Sequence, residues 1–281
     1  MARLKTNLYD TSKCSACRGC IVACKDNNML PGKSDIPPSS FVSGLREERF
    51  KGNYGVQEDT NANTFTILRY NEFVDAAQGL QFRFLKWQCM HCIEPQCMAV
   101  CPRGAYTKNE WGATVQDPAK CIGCQYCVTA CPFGIPKYHK HHDVITKCTL
   151  CIERVDEGLK PACARTCPTG ALVHGYRDEL LAQARERVKY LQANGFPRAT
   201  IYGENELGTG TNKLYVLTDT PDKFGLPLEP KVEGNTVFWQ DWVKPYFGWL
   251  IPVALAGSAI SFVTTRVLAN KHGAHSEGGH E

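Results

Sequence analysis

The sequence predicts an α+β fold in which two small cysteine-built domains are followed by one C-terminal transmembrane helix. Three observations carry that prediction. All sixteen cysteines of the 281 residues fall into four quartets, with none left over. Short runs rich in β-branched and aromatic residues stand beside the quartets. A stretch of 21 residues without a charge, 245–265, lies near the C-terminus.

The first quartet is Cys14, Cys17, Cys20 and Cys24, and the second is Cys89, Cys92, Cys97 and Cys101. The third is Cys121, Cys124, Cys127 and Cys131, and the fourth is Cys148, Cys151, Cys163 and Cys167. The first and third follow C-x2-C-x2-C-x3-C, the spacing of bacterial ferredoxins. The second widens the middle gap to four residues and the fourth to eleven, and every quartet ends on x3. A short loop can wrap three corners of a [4Fe–4S] cube, and the x3 step carries the fourth thiolate on a helical turn toward a neighbouring cube. Pro102, Pro132 and Pro168 follow the last cysteine of three quartets, whereas Lys25 follows the first. CPRGA, CPFGI and CPTGA echo one another and mark an internal repeat of a ferredoxin-like half. Four [4Fe–4S] clusters, and an electron conduit, are therefore expected.

Two other uses of cysteine compete. Eight disulfides suit short secreted chains poor in core residues, whereas this chain is 43% hydrophobic and its start, MARLKTNLYD, has no apolar signal core. Paired C-x2-C motifs also bind structural zinc, but zinc leaves the repeated x3-Cys-Pro ending unexplained. The formal net charge of +4 counts the thiols as neutral. Four oxidised cubes with their thiolates would add about −8, so the basic balance reads as compensation for cluster charge and not as a nucleic-acid footprint. Lys13, Arg18, Lys120, Lys147 and Arg165 stand beside cluster cysteines, as candidates for that compensation.

Taken in order, residues 1–13 read as a lead-in strand and 31–63 as a long irregular insertion rich in Gly, Pro, Ser and Asn. FTILRY (65–70) and LQFRFLKW (80–87) read as strands around a turn at Gln78-Gly79. Asn109–Gly112 reads as a turn between the second and third quartets. Residues 177–193 form a helix whose start is favoured by Asp178 and Glu179 and whose end is marked by Gly195. Leu214 to Thr218 reads as a strand, and 221–230 as an extended proline-rich crossing along another surface.

The uncharged stretch PYFGWLIPVALAGSAISFVTT would span about 30 Å as a helix, the thickness of a bilayer core. Trp239, Trp242, Tyr246 and Trp249 crowd its entry like an interfacial belt. Pro252 is tolerable there, and Gly257 and Ser258 offer small surfaces to a partner helix. A buried core helix is the competing reading. Arg266 and Lys271 outweigh Lys244, which favours a cytoplasmic tail (266–281) and a periplasmic cluster domain on a single-pass inner-membrane protein. Clusters outside without an export signal suggest folded export alongside a partner that carries one.

No open ligand position remains once sixteen thiolates are committed, and no Walker loop, dinucleotide fingerprint or radical C-x3-C-x2-C motif is present. The chain is thus expected to be no enzyme alone and to bind no small-molecule substrate or nucleic acid. His139, His141 and His142 read as a surface turn, while His272, His275 and His280 read as solvated tail residues. His91, inside the second quartet, could either tune a cube by hydrogen bonding or pack its loop.

The four quartets, KCTLCIERV (147–155), PACARTCPTGA (161–171), GLPLEPK and the terminal span resemble the iron–sulfur β subunit of respiratory membrane-bound formate dehydrogenases. The quartets alone also resemble subunits of sulfur-compound reductases, nitrate reductase and one hydrogenase type. In nitrate reductase-like members a cysteine of the third quartet is replaced; here Cys124 is present. The resemblance implies a first ferredoxin-like domain of 1–86 with 143–176 and a second of 87–142, then a connector at 177–244. It implies ligand exchange: Cys14, Cys17 and Cys20 with Cys167, and Cys148, Cys151 and Cys163 with Cys24. In the second domain Cys89, Cys92 and Cys97 would join Cys131, and Cys121, Cys124 and Cys127 would join Cys101. It implies a Mo/W-bis-pterin catalytic α subunit as electron donor and a membrane cytochrome b γ subunit as acceptor. The same conduit in a hydrogenase or sulfur-compound reductase is the alternative, and a zinc-stabilised membrane adaptor the remote one.

Overall fold

The computed structural model describes residues 3–30, 59–75, 79–231, 238, 242 and 246–273. The chain divides into two compact units, Met1–Glu233 and Gly234–Glu281, so both expected cluster halves lie within the first.

A four-stranded sheet organises that unit, in the order β8-β1-β10-β9. The lead-in strand β1 (Lys5–Asp10) runs parallel to β10 (Lys213–Leu217) and antiparallel to β8 (Leu172–Tyr176); β9 (Thr200–Tyr202) pairs antiparallel with β10. Alternation along the two central strands sorts their side chains. Leu8, Leu214 and Val216 pack with Leu180, Ala184 and Leu191 of α6 (Arg177–Ala193). Tyr9, Tyr215 and Leu217 face the other way, into a core shared with Cys14, Cys20, Cys148, Cys163 and Cys167. The sheet therefore stands between a solvent-covering helix and the cysteines. Arg3 holds Asp178 and Glu179 at the start of α6 at 2.7 and 2.9 Å, which suits the positive end of the helix dipole.

The residues after the fourth quartet do more than connect, because β10 is one of the two inner strands and is buried throughout. The proline-rich segment is likewise not stretched over another surface. Pro221–Phe224 makes a 3-10 turn, and Phe224 and Leu226 enter the core.

The strands expected at 65–70 and 80–87 form a longer hairpin, β2 (Ile67–Asp75) and β3 (Gly79–Trp87). Gln78 lies outside the described residues, as does 31–58 of the insertion. Between the second and third quartets, β4 (Tyr106–Lys108) and β5 (Thr114–Gln116) close around the expected turn, where Gly112 donates to the Asn109 carbonyl at 3.0 Å. A matching hairpin, β6 (Lys137–His139) and β7 (Val144–Thr146), follows the third quartet.

The second unit holds α7 (Phe247–Gly273), with Pro252 inside it. Among the described residues no helix is long and apolar enough to cross a membrane.

Candidate iron–sulfur centres

Each quartet builds the same local structure. The residue two places after its first cysteine is left-handed: Ala16, His91, Gly123 and Leu150 have φ of 57°, 46°, 65° and 64°. That conformation costs a non-glycine residue about 1–2 kcal/mol, and it turns the chain back over the first thiol. Three of these residues, Ala16, His91 and Leu150, donate their N–H to that sulfur at 3.4 Å. A helix then carries the third cysteine: Cys20 in α1 (Gly19–Asn27), Cys97 in α2 (Gln96–Ala99), Cys127 in α3 (Tyr126–Ala130) and Cys163 in α5 (Ala162–Thr166). The eleven-residue gap of the fourth quartet is filled by one more turn, α4 (Ile152–Asp156).

Proline decides where two of these helices stop. A residue before proline avoids the helical region, and Cys131 and Cys167 accordingly cap α3 and α5 with ψ of 113° and 108°. Gly104, Gly134 and Gly170, three places after the last cysteine, return an N–H to its carbonyl at 3.3, 3.0 and 3.4 Å with positive φ. The first quartet has Lys25 instead, so α1 continues for another turn beyond Cys24.

The thiols gather in four groups that cross between quartets. Cys14 lies within electrostatic reach of Cys17 and Cys167. Cys24, Cys148, Cys151 and Cys163 line one narrow cavity. Cys97 neighbours Cys89, Cys92 and Cys131. Cys101, Cys121, Cys124 and Cys127 line a second narrow cavity. All sixteen are free thiols. Among the described residues no group of three His, Cys, Asp or Glu side chains is placed to hold a single metal ion.

The surroundings fit a bulky anionic sulfur cluster. Burial pushes the Cys20, Cys127 and Cys148 thiols up to about 11 and Cys151 to about 12, so thiolates form there only as iron takes the proton's place. Asn7 Nδ2 and Gln88 Nε2 line the first cavity as donors without acceptors, and the Tyr106 hydroxyl turns to the Cys127 sulfur in the second. Asn27 and Asn28 reach the sulfurs of Cys151 and Cys24 at 3.8 and 3.7 Å. Such N–H donors suit thiolate and sulfide.

The cations stand elsewhere than expected. Lys13 and Lys120 are exposed partners of Asp10 and Asp117 at 3.9 Å, Arg165 is exposed, and Arg18 donates to the Tyr70 hydroxyl at 3.0 Å. Of the five, only Lys147 is buried, donating to the Thr114 and Cys148 carbonyls. Lys86 and Lys213, both buried among the thiols, supply the remainder. A lysine opening a strand buried on both sides was the available signal for Lys213; for Lys86 it was a cation in an aromatic run.

His91 is 1% exposed, accepts the Thr114 N–H on Nδ1 at 3.1 Å, and is held neutral by burial and by Lys147. It thus packs its loop with the ring and serves the cluster with its backbone. His139 ends β6 with its ring 4.4 Å from that of His142. His275 and His280 lie outside the described residues, as does the side chain of His272.

Paired thiol rings on short helix–hairpin units define a ferredoxin-type, cluster-binding electron-transfer chain. A family model for a 4Fe-4S dicluster domain matches residues 80–177. The chain is 36% identical to the formate dehydrogenase iron-sulfur subunit of Haemophilus influenzae over 91% of its own length and 78% of that protein's. It is also 36% identical to the nitrate-inducible formate dehydrogenase iron-sulfur subunit of Escherichia coli, over 91% and 81%. The Hydrogenase-2 operon protein HybA of Shigella flexneri is 32% identical over 97% and 86%. The chain belongs to the family of formate dehydrogenase iron–sulfur subunits.

Proposed function

We infer that this chain is the electron-transfer subunit of a membrane-bound formate dehydrogenase, with four [4Fe–4S] clusters bound by the four thiol groups. When bound, the clusters supply one-electron storage at low potential. The observation that carries the reading is the serial arrangement of those groups. Cys20 neighbours Cys163, joining the first group to the second. Cys148 neighbours Cys89, joining the second to the third. Val100, Tyr106 and Ile145 pack the third against the fourth together with Cys97, Cys101, Cys121 and Cys127. The exposed cysteines, Cys17 and Cys124, belong to the two end groups, so the line has an accessible entry and exit.

The chain itself holds, spaces and insulates these centres, and no residue offers a vacant ligand position for substrate. A Mo/W-pterin catalytic subunit would feed one end and a membrane cytochrome b subunit would drain the other. Support for a membrane anchor comes from α7. Its hydroxyls turn inward, Ser258 to Leu255, Thr264 to Ile260 and Thr265 to Ser261, at 2.7–2.9 Å. That is how polar groups are satisfied where water is absent, and Val253, Leu255, Ile260, Phe262 and Val263 are exposed. The span would leave the cluster unit periplasmic and the tail cytoplasmic.

Iron and acid-labile sulfide should each be found at four per thiol group, and redox-titrated EPR should resolve four [4Fe–4S]⁺ signals. One or two signals, or zinc without sulfide, would overturn the reading. Carbonate washing should leave the chain in the membrane fraction. The match to HybA over 97% of the chain favours a second reading, the same conduit serving a hydrogenase. Formate-dependent dye reduction by the purified complex supports the first; hydrogen-dependent reduction alone supports the second.

A further inference from the structure

Lys213 opens β10 and is fully buried. Strand alternation puts it on the same face as Tyr215 and Leu217, which pack against the thiols. Its Nζ makes no hydrogen bond among the described residues, and the rings of Tyr9 and Tyr215 lie 5.6 and 5.1 Å from it. The charges acting on it come from Lys86 and from Cys163, Cys148 and Cys20. Opposite it on β1 is Asn7. His174 Nδ1 holds Asn7 Oδ1 at 2.8 Å, which fixes the amide and leaves its Nδ2 buried without an acceptor. Asn7, Lys86 and Gln88 all line the cavity of Cys24, Cys148, Cys151 and Cys163. Lys86 and two unspent amide donors thus line one thiol group, and Lys213 stands within electrostatic reach of two of its thiols, Cys148 and Cys163. A buried ammonium without a counter-charge is among the most costly groups a fold can contain. It becomes tolerable beside an anionic cluster.

We propose that Lys213, acting with Lys86, Asn7 and Gln88, makes the centre held by Cys24, Cys148, Cys151 and Cys163 the highest-potential station of the line. The inference rests on the four-cluster reading above. Positive charge and N–H donors favour the more negative, reduced state and so raise a potential. The station adjoins Cys89 at the junction of the two halves. It gives a one-electron line a resting place while the second electron of a two-electron donor is delivered. Lys213 is a positioning residue in this scheme; it sets the field at a centre without ligating it.

Lys213→Met removes the charge and, since Nζ has no partner, leaves no group unsatisfied. EPR-monitored redox titration of the full chain carrying its clusters separates the two levels of inference. Four signals in the unaltered chain establish the clusters, and fewer would sink that reading independently of Lys213. In Lys213→Met the highest-potential signal should shift alone. Its reduced-to-oxidised ratio at fixed potential should fall about tenfold, equivalent to about 59 mV for one electron, and Lys213→Arg should restore it. An unmoved signal, or an equal shift of all four, overturns the proposal. If Lys213→Met loses the centre entirely, Lys86→Gln is titrated in its place. It keeps donors for Thr66 and Gln88, the same lone shift is expected, and its absence overturns the proposal.

Discussion

His174 shows how a single residue outside the quartets bears on them. It lies on β8, bonded to Asn7 and surrounded by Lys5, Lys160 and Lys213. Burial and those cations lower its pKa to about 4, against an ordinary value of about 6.5. The unfolded chain therefore binds the extra proton between those values, and stability rises with pH across that window. The contribution is complete above about pH 6.5 and is lost as pH falls toward 4; its ceiling is about 3 kcal/mol. Denaturant titrations at pH 7.5 and pH 5 should show the loss, and His174→Asn should flatten it. An unchanged pH slope in that variant would count against the assignment.

At the scale of elements, three of the four quartets combine a left-handed residue, a short helix and a Cys-Pro-x-Gly turn, and each part has a distinct failure. Gly123 has φ of +65°, and a Cβ there would meet the Asp143 carbonyl oxygen at 2.8 Å and the Tyr138 ring at 3.1 Å. Backbone cannot yield as a flexible side chain can. Gly123→Ala should therefore cost the centre of Cys101, Cys121, Cys124 and Cys127, leaving three EPR signals of four. The sheet fails differently. Leu214 is fully buried between β10 and α6, so Leu214→Ala should destabilise the cluster unit by about 2–5 kcal/mol. Differential scanning calorimetry should show the lower melting temperature while the cluster spectrum at low temperature is kept.

Across the whole molecule, two cysteines are exposed, one in each proposed end centre. Cys17 and Cys124 are exposed, whereas Cys89, Cys151 and Cys163 are buried. Brief exposure to air should degrade the two end centres first, with three-iron EPR signals emerging from them before any change at the inner pair. Simultaneous decay of all four would contradict the serial arrangement. Lys86, Lys147 and Lys213 are buried in the same unit. Chelating iron under reducing conditions should therefore loosen the whole unit, since these charges then lose their partners. Retained near-UV circular dichroism after iron removal would refute that dependence.

Much of this protein was legible in order along the chain. The cysteine spacing, the Cys-Pro-x-Gly echoes, the helix at 177–193 and the strand at 214–218 are local features, set by short-range sterics and by hydrophobic period. The β2–β3 hairpin was visible for the same reason, because antiparallel neighbours share one alternation. Partnerships across long separations were not visible. β10 pairs in parallel with β1 from the far side of both cluster halves, and nothing in either strand's composition names the other. That pairing alone places Lys213 and Asn7 on the thiol side and Leu8 and Leu214 on the α6 side. Sequence by itself determined which thiols are proposed to bind iron. The tertiary structure decided which charges stand around them, because a buried cation is tolerated only where distant segments bring its counter-charge to it.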